Sequence, residues 1–321
     1  MRRRDWLLAS AAGLALPLLA RAQRPERRYR VGVLLPVDTS AANHLPVIRE
    51  RLAALGFVEG RNLEIDVRYA RTNPDAAQEL LARKPDALLA ATDDAVRAAQ
   101  LATKSTPIVF TWVADPVLSG FVKAYGRPGG NTTGVANRYY ELTVKRLELL
   151  HELLPGVRRV GMTGRLHDAV GEAALRAAQE AARRLKIELI VLTGFGGHEL
   201  VGRLVAAGAQ ADCNSANYAI IGDRYSAEVA VRARAQARIP TVFAEIETVE
   251  LGGLMSYATS LHDELRRALD LLARILRGDK PADVPVEQAA RFELALNLKT
   301  ARALGLKVPQ SILVRADRVI E

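Results

Sequence analysis

Tyr29-Arg30-Val31-Gly32-Val33-Leu34-Leu35 is a short apolar run rich in β-branched side chains. Ala87–Ala91 (ALLAA) and Ile108–Trp112 (IVFTW, entered through Pro107) repeat that character downstream. Short runs with apolar side chains on consecutive positions read as strands buried on both faces. Between them lie longer stretches with helical spacing, through Ile48 to Leu55, over Asp75–Arg83 and over Asp94–Lys104. Asn62–Tyr69 alternates apolar and polar side chains, as a half-exposed strand does. Strands that alternate with helices predict a parallel sheet covered by helices on both faces.

The pattern then starts again. A helix is expected over Glu141–Leu153, stopped by Pro155-Gly156. Strands are expected at Arg159–Thr163, Glu188–Leu192, Tyr218–Ile221 and Pro240–Phe243, with helices at Asp168–Leu185, His198–Ala206 and Ser226–Ala237. The chain thus reads as α/β, with two Rossmann-like lobes, each built on a parallel sheet. In such sheets ligands sit beyond the strand carboxyl ends, so a cleft between two facing lobes is the expected site.

Several stretches carry a family likeness. They are Pro107–Asn137 (PIVFTWVADPVLSGFVKAYGRPGGNTTGVAN), Arg146–Arg159 (RLELLHELLPGVRR), Gly252–Tyr257 (GGLMSY), Leu276–Gln288 (LRGDKPADVPVEQ) and Phe292–Glu321 (FELALNLKTARALGLKVPQSILVRADRVIE). In this order they resemble the ABC-transporter substrate-binding family, which includes binders of aromatic amino acids. The resemblance implies a type I periplasmic-binding-protein fold with a three-segment hinge. It implies crossings near Val135–Arg138, Ile246–Leu251 and Ala282–Val286. Lobe one is then residues 29–137 plus 252–281, and lobe two residues 138–251 plus 282–321. The implied partners are a small-molecule ligand and an ABC permease in the inner membrane. The chain departs from the family pattern at Met162–Asp168, Gly222-Asp223-Arg224, Glu245-Ile246-Glu247 and Tyr257-Ala258.

Candidate ligand contacts follow from the strand ends. In lobe one, Val37 and Asp38 lie in the loop after the first strand. Thr92 and Asp93 stand at a helix start, where they can receive a carboxylate or act as a plain N-cap. Thr111 and Trp112 end the next strand, and Trp112 can stack on a flat ligand or fill the core. Asp115-Pro116 reads as a helix start, and Asn137 sits at the first crossing. In lobe two, Arg165 follows a strand and can meet a carboxylate. Asp223 follows the Tyr218–Ile221 strand, and can pair with a ligand ammonium or cap the next helix. Phe243 and Glu245 offer an apolar wall and a second acid. The glycine-rich Arg127–Gly134 lacks the Gly-Lys-Ser/Thr ending of a phosphate loop and reads as a tight turn before the crossing.

The remaining composition narrows the function. The first 22 residues carry Arg2, Arg3 and Arg4, an apolar Leu7–Leu19 and Ala20-Arg21-Ala22, the layout of a cleavable export signal. The apolar run is shorter than the roughly 20 residues that span a bilayer. Arg3-Arg4-Asp5-Trp6-Leu7 also suits twin-arginine export. A periplasmic location and a monomer are expected. The net charge is +9, but Arg and Lys are dispersed among Asp and Glu, so no nucleic-acid partner is expected. Cys213 is the single cysteine, which excludes an internal disulfide. The five His show no HExxH spacing and no G-x-S-x-G motif occurs, so no catalytic residue, metal or cofactor is expected. A solute-binding protein is the leading reading. A sensing module for a signalling receptor and a secreted hydrolase are the alternatives.

Overall fold

The computed structural model describes residues 27–36, 41–70, 73–137, 139–164, 166, 168–194, 197–215, 224–289 and 291–321. The first half runs β1 (Tyr29–Leu35), α1 (Ala41–Ala54), β2 (Leu63–Tyr69), α2 (Ala76–Ala82), β3 (Ala87–Ala91), α3 (Asp93–Ala102), β4 (Ile108–Val113) and β5 (Thr132–Ala136). The series resumes with α4 (Tyr139–Leu153), β6 (Arg159–Thr163), α5 (Ala169–Leu185), β7 (Glu188–Leu192), α6 (Gly197–Ala206), β8 (Ala211–Asn214), α7 (Arg224–Gln236) and β9 (Thr241–Phe243). It closes with α8 (Glu247–Glu250), β10 (Met255–Thr259), α9 (Leu261–Leu276), β11 (Glu287–Gln288), β12 (Phe292–Asn297), α10 (Leu298–Ala303), α11 (Gln310–Leu313) and β13 (Arg318–Ile320).

Among the described residues the strands form two sheets, ordered β11-β5-β4-β3-β1-β2 and β13-β12-β10-β9-β8-β6-β7. Pairing is parallel except between β10 and β12. β1, β3 and β4 are buried almost throughout, as their unbroken apolar runs require. One face of the first sheet packs against α1 and α9 through Ile48, Leu52, Leu265, Leu269 and Leu272, and the other against α2 and α3. The second sheet has its own core, with Leu147, Leu150, Val160, Val242 and Leu296.

Three expectations are corrected. The glycine-rich stretch is not all turn, since Thr132–Ala136 forms β5 inside the first sheet. Its hydroxyls are satisfied there: Thr132 accepts from Gln100 Nε2 at 2.8 Å and Thr133 donates to the Val284 carbonyl at 2.8 Å. Gly134 is required because the Phe110 ring lies directly against it.

The second correction concerns the third strand of lobe two. It is Ala211–Asn214, beside β6 and β9, whereas Tyr218–Ile221 lies outside the described residues. The run Ala-Asp-Cys-Asn looks too polar for a buried strand, yet Asp212 is fully buried. Its carboxylate lies 2.8 Å from Arg234 Nη2, and Arg234 is itself 3% exposed at the side chain. A buried charge is tolerated only with such a partner.

The third correction concerns the 252–281 segment, expected whole in lobe one. It divides: β10 pairs with β9 and β12 in the second sheet, while α9 packs on the first. Among the described residues the chain changes sheet between β5 and α4, between β10 and α9, and between β11 and β12. The later crossings therefore fall near Thr259-Ser260 and after Gln288, not at 246–251 and 282–286. Short strands such as Glu287–Gln288 carry no local sign of which sheet accepts them.

Gly134→Ala should destabilise the protein by about 1–3 kcal/mol or more, because the new Cβ would stand 2.3 Å from the Phe110 carbonyl oxygen and 2.5 Å from its ring. A lowered urea midpoint measures this. Arg234→Met leaves Asp212 buried and unpaired and should cost about 3–5 kcal/mol. The Asp212→Leu, Arg234→Met double variant should recover much of that loss in the same titration.

Candidate functional site

Ala114, just past β4, shares a buried apolar cluster with Met162 of β6 and with Leu166 beyond it. This contact brings the carboxyl ends of the two sheets face to face. The groups gathered there are mostly polar.

In the first lobe, Thr92 ends β3 with φ +82° and ψ 161°, a backbone region that suits glycine. Its side chain makes no capping bond to α3, and its N–H donates to the Thr111 carbonyl at 3.0 Å. Asp93 opens α3 and accepts from the Ser119 hydroxyl at 2.8 Å. Two acids in the first turn, Asp93 and Asp94, already balance the helix dipole. The Thr111 hydroxyl is fully buried and has no partner among the described residues. The same holds for Asn137 Oδ1, at the crossing after β5.

Trp112 also has a positive φ, +58°, where the β4–β5 register shifts. Its ring is fully buried and its indole N–H donates to the Leu261 carbonyl at 3.0 Å. Trp112 thus serves the core and ties β4 to the start of α9. Against it, ring centroids 4.5 Å apart, lies His44, neither of whose ring nitrogens has a partner among the described residues. Burial, reinforced by His262, pushes His44 down to about 4, so its ring is neutral at physiological pH. Asp115 caps the following turn, accepting from the N–H groups of Val117 and Leu118 at 3.0 Å each.

The second lobe presents acceptors. Glu245 follows β9 and is buried, with both carboxylate oxygens unpartnered among the described residues. Burial pushes its carboxyl up to about 7, and Glu247 adds to this while Arg146 and Arg234 oppose it. Asn214 ends β8, the neighbouring strand, and its Oδ1 is likewise buried and unpartnered. Glu247, on α8, has a buried carboxylate oxygen with no partner among the described residues, and burial pushes its carboxyl up. At the β10–α9 crossing Glu264 accepts from the Thr259 hydroxyl, and burial pushes its carboxyl up to about 8.

Of the residues singled out from sequence, Thr92, Asp93, Thr111, Asn137 and Glu245 stand at these strand ends. Phe243 is buried in β9 with Arg234 5.7 Å over its ring, so it covers the buried guanidinium. Val37, Asp38, Arg165 and Asp223 lie outside the described residues, as do residues 1–22. His44, Asn214 and Glu264 also stand here and are not among the candidates drawn from sequence, while Glu247 was named only as a departure from the family pattern. Correct placement of β8 would have flagged Asn214 as its last residue; the others come from helices that local pattern does not aim. No group of three or more His, Cys, Asp or Glu among the described residues is placed to hold a metal, and no helix among them is long and apolar enough to cross a membrane.

The comparisons with known proteins agree with this architecture. A solved conserved domain protein from Vibrio cholerae superposes with a TM-score of 0.81 at 26% identity, covering 91% of this chain and 100% of that one. An ABC domain from Streptococcus pneumoniae in complex with L-Trp gives a TM-score of 0.80 at 22% identity, with 91% and 100% covered. The tyrosine-binding protein of Clostridioides difficile (strain R20291) is 25% identical over 259 residues, 78% of this chain and 73% of that protein. The family model described as ABC transporter substrate binding protein matches residues 30–320. A chain of two α/β lobes with facing strand ends, matched over nearly its whole length, belongs to the ABC transporter substrate-binding protein family.

Proposed function

We propose that this protein captures an α-amino acid between its lobes, without chemical conversion, and delivers it to an ABC importer. The reading rests on buried acceptors at the second-lobe strand ends that have no partner among the described residues, Glu245 and Asn214 Oδ1. Leaving such groups unpaired costs about 1–3 kcal/mol each, and a ligand ammonium relieves that cost through charge-assisted bonds. The ligand carboxylate is assigned to the first lobe, where the Thr111 hydroxyl, beside Thr92, has no partner among the described residues. Each lobe holds part of the ligand, so ligand contacts with both favour the closed arrangement. The relatives described as binding tyrosine and L-Trp support an amino acid of aromatic type. The start of the sequence supports export to the periplasm, by a secretory or twin-arginine route, with cleavage after Ala22.

A thermal-shift screen of the mature chain against amino acids, purines and small acids tests this. A true ligand at 100 times its Kd should add about 2.7 kcal/mol. L-tyrosine or L-tryptophan should shift the transition; a shift with another solute class and none with amino acids at millimolar concentration overturns the reading.

The pH dependence follows from Glu245. A ligand ammonium favours the carboxylate, so below pH 7 binding must expel the proton that burial retains. Affinity should fall as pH drops below about 7, by up to about tenfold per unit, and level off above it. Glu245→Gln should weaken binding and flatten that profile in titration calorimetry. Without ligand the sign reverses. The raised carboxyl favours the folded state most below the ordinary carboxylate range, and that contribution is lost as pH rises through about 7.

A further inference from the structure

Thr163 ends β6, Asp212 and Asn214 lie on β8, and Arg234 lies on α7; all four side chains are closed to solvent. Parallel pairing sets Gly161 beside Asp212 and Thr163 beside Asn214. Thr163 Oγ1 is the hub. It stands 3.1 and 3.0 Å from the two carboxylate oxygens of Asp212, 3.1 Å from Arg234 Nη2 and 3.1 Å from Asn214 Nδ2. Arg234 Nε reaches Asp212 at 2.9 Å, and its Nη1 donates to the Ala230 carbonyl at 3.1 Å.

The proton count decides the geometry. A threonine hydroxyl has one hydrogen and two lone pairs. Burial pushes the Asp212 carboxyl up, but Arg234, with Nη2 at 2.8 Å and Nε at 2.9 Å, holds it as the carboxylate; it therefore only accepts, and the hydroxyl hydrogen goes to it. The two lone pairs then accept from Arg234 and from Asn214. Asn214 therefore has a single satisfied orientation, amide nitrogen toward Thr163. In the reversed orientation its oxygen would meet an oxygen that has no hydrogen left to offer. The outward atom is then Oδ1, which has no partner among the described residues.

The geometry points to Thr163, locked by Asp212 and Arg234, as a positioning residue that fixes Asn214 as an acceptor, so that the second lobe selects ligands bearing an ammonium or other donor at this point. An unlocked asparagine would turn its amide nitrogen outward and accommodate a carboxylate or carbonyl equally well. The ligand consequence rests on the amino-acid reading above; the orientation of Asn214 does not.

Two measurements separate them. The first compares affinities for L-tyrosine and for 3-(4-hydroxyphenyl)propanoate, the same molecule without its ammonium. Thr163→Val should lower L-tyrosine affinity by about tenfold, the size of one charge-assisted hydrogen bond. It should change affinity for the desamino acid by no more than about twofold, and Thr163→Ser should keep both values. Equal losses for the two compounds, or none, overturn the proposal. Should Thr163→Val not fold, Asn214→Ala must show the same loss of discrimination.

The second needs no ligand. In NMR hydrogen exchange, one Asn214 side-chain amide proton should be protected in the wild type and in Thr163→Ser and exposed in Thr163→Val. Rapid exchange of both protons in the wild type overturns the inference. Wild type that binds neither compound, with that proton protected, rejects the amino-acid reading and keeps the orientation.

Discussion

The ion pair of Asp212 and Arg234 is the interaction on which the second lobe is organised. Bringing two charges out of water is costly, and the pair is stable there only because its donors and acceptors are used. Arg234 reaches Asp212, Thr163 and the Ala230 carbonyl, and the Phe243 ring lies under its guanidinium. One side chain thereby joins α7 to the ends of β6, β8 and β9. Those are the strand ends that face the first lobe.

The first lobe is organised by packing instead. Helix α9 arrives from a strand of the other sheet and lays Leu265, Leu269 and Leu272 on β3, β4 and β5. The Trp112 indole bond to the Leu261 carbonyl fixes its start. Strain accompanies this. Thr92 and Trp112 both hold positive φ on neighbouring strands, at the edge where ligands meet open parallel sheets. Hydroxyls, strained backbone, the Asp93 carboxylate and Asn137 Oδ1 stand at the strand ends of the first lobe, and the Glu245 carboxylate and Asn214 Oδ1 at those of the second.

Much was legible in the chain because it is encoded locally. The apolar runs at 29–35, 87–91 and 108–112 became β1, β3 and β4, and the strand-end rule brought Thr92, Thr111 and Glu245 forward as candidates, which the structure places at strand ends. Asn214 escaped because Ala-Asp-Cys-Asn looks like loop until Arg234, 22 residues downstream of Asp212, neutralises the carboxylate. Thr132–Ala136 escaped because glycine signals a turn, and only the Phe110 ring shows why a strand needs one there.

Periodicity and family likeness together determined an α/β chain with two lobes, since a helix face and a buried strand are written in the spacing of their own residues. Tertiary structure alone decided which sheet receives β10 and β11, whether Trp112 meets ligand or core, and which atom Asn214 turns toward Thr163. Each of those depends on a partner distant in sequence: β12 for β10, Leu261 for Trp112, and the single hydroxyl hydrogen of Thr163, spent on Asp212, for Asn214.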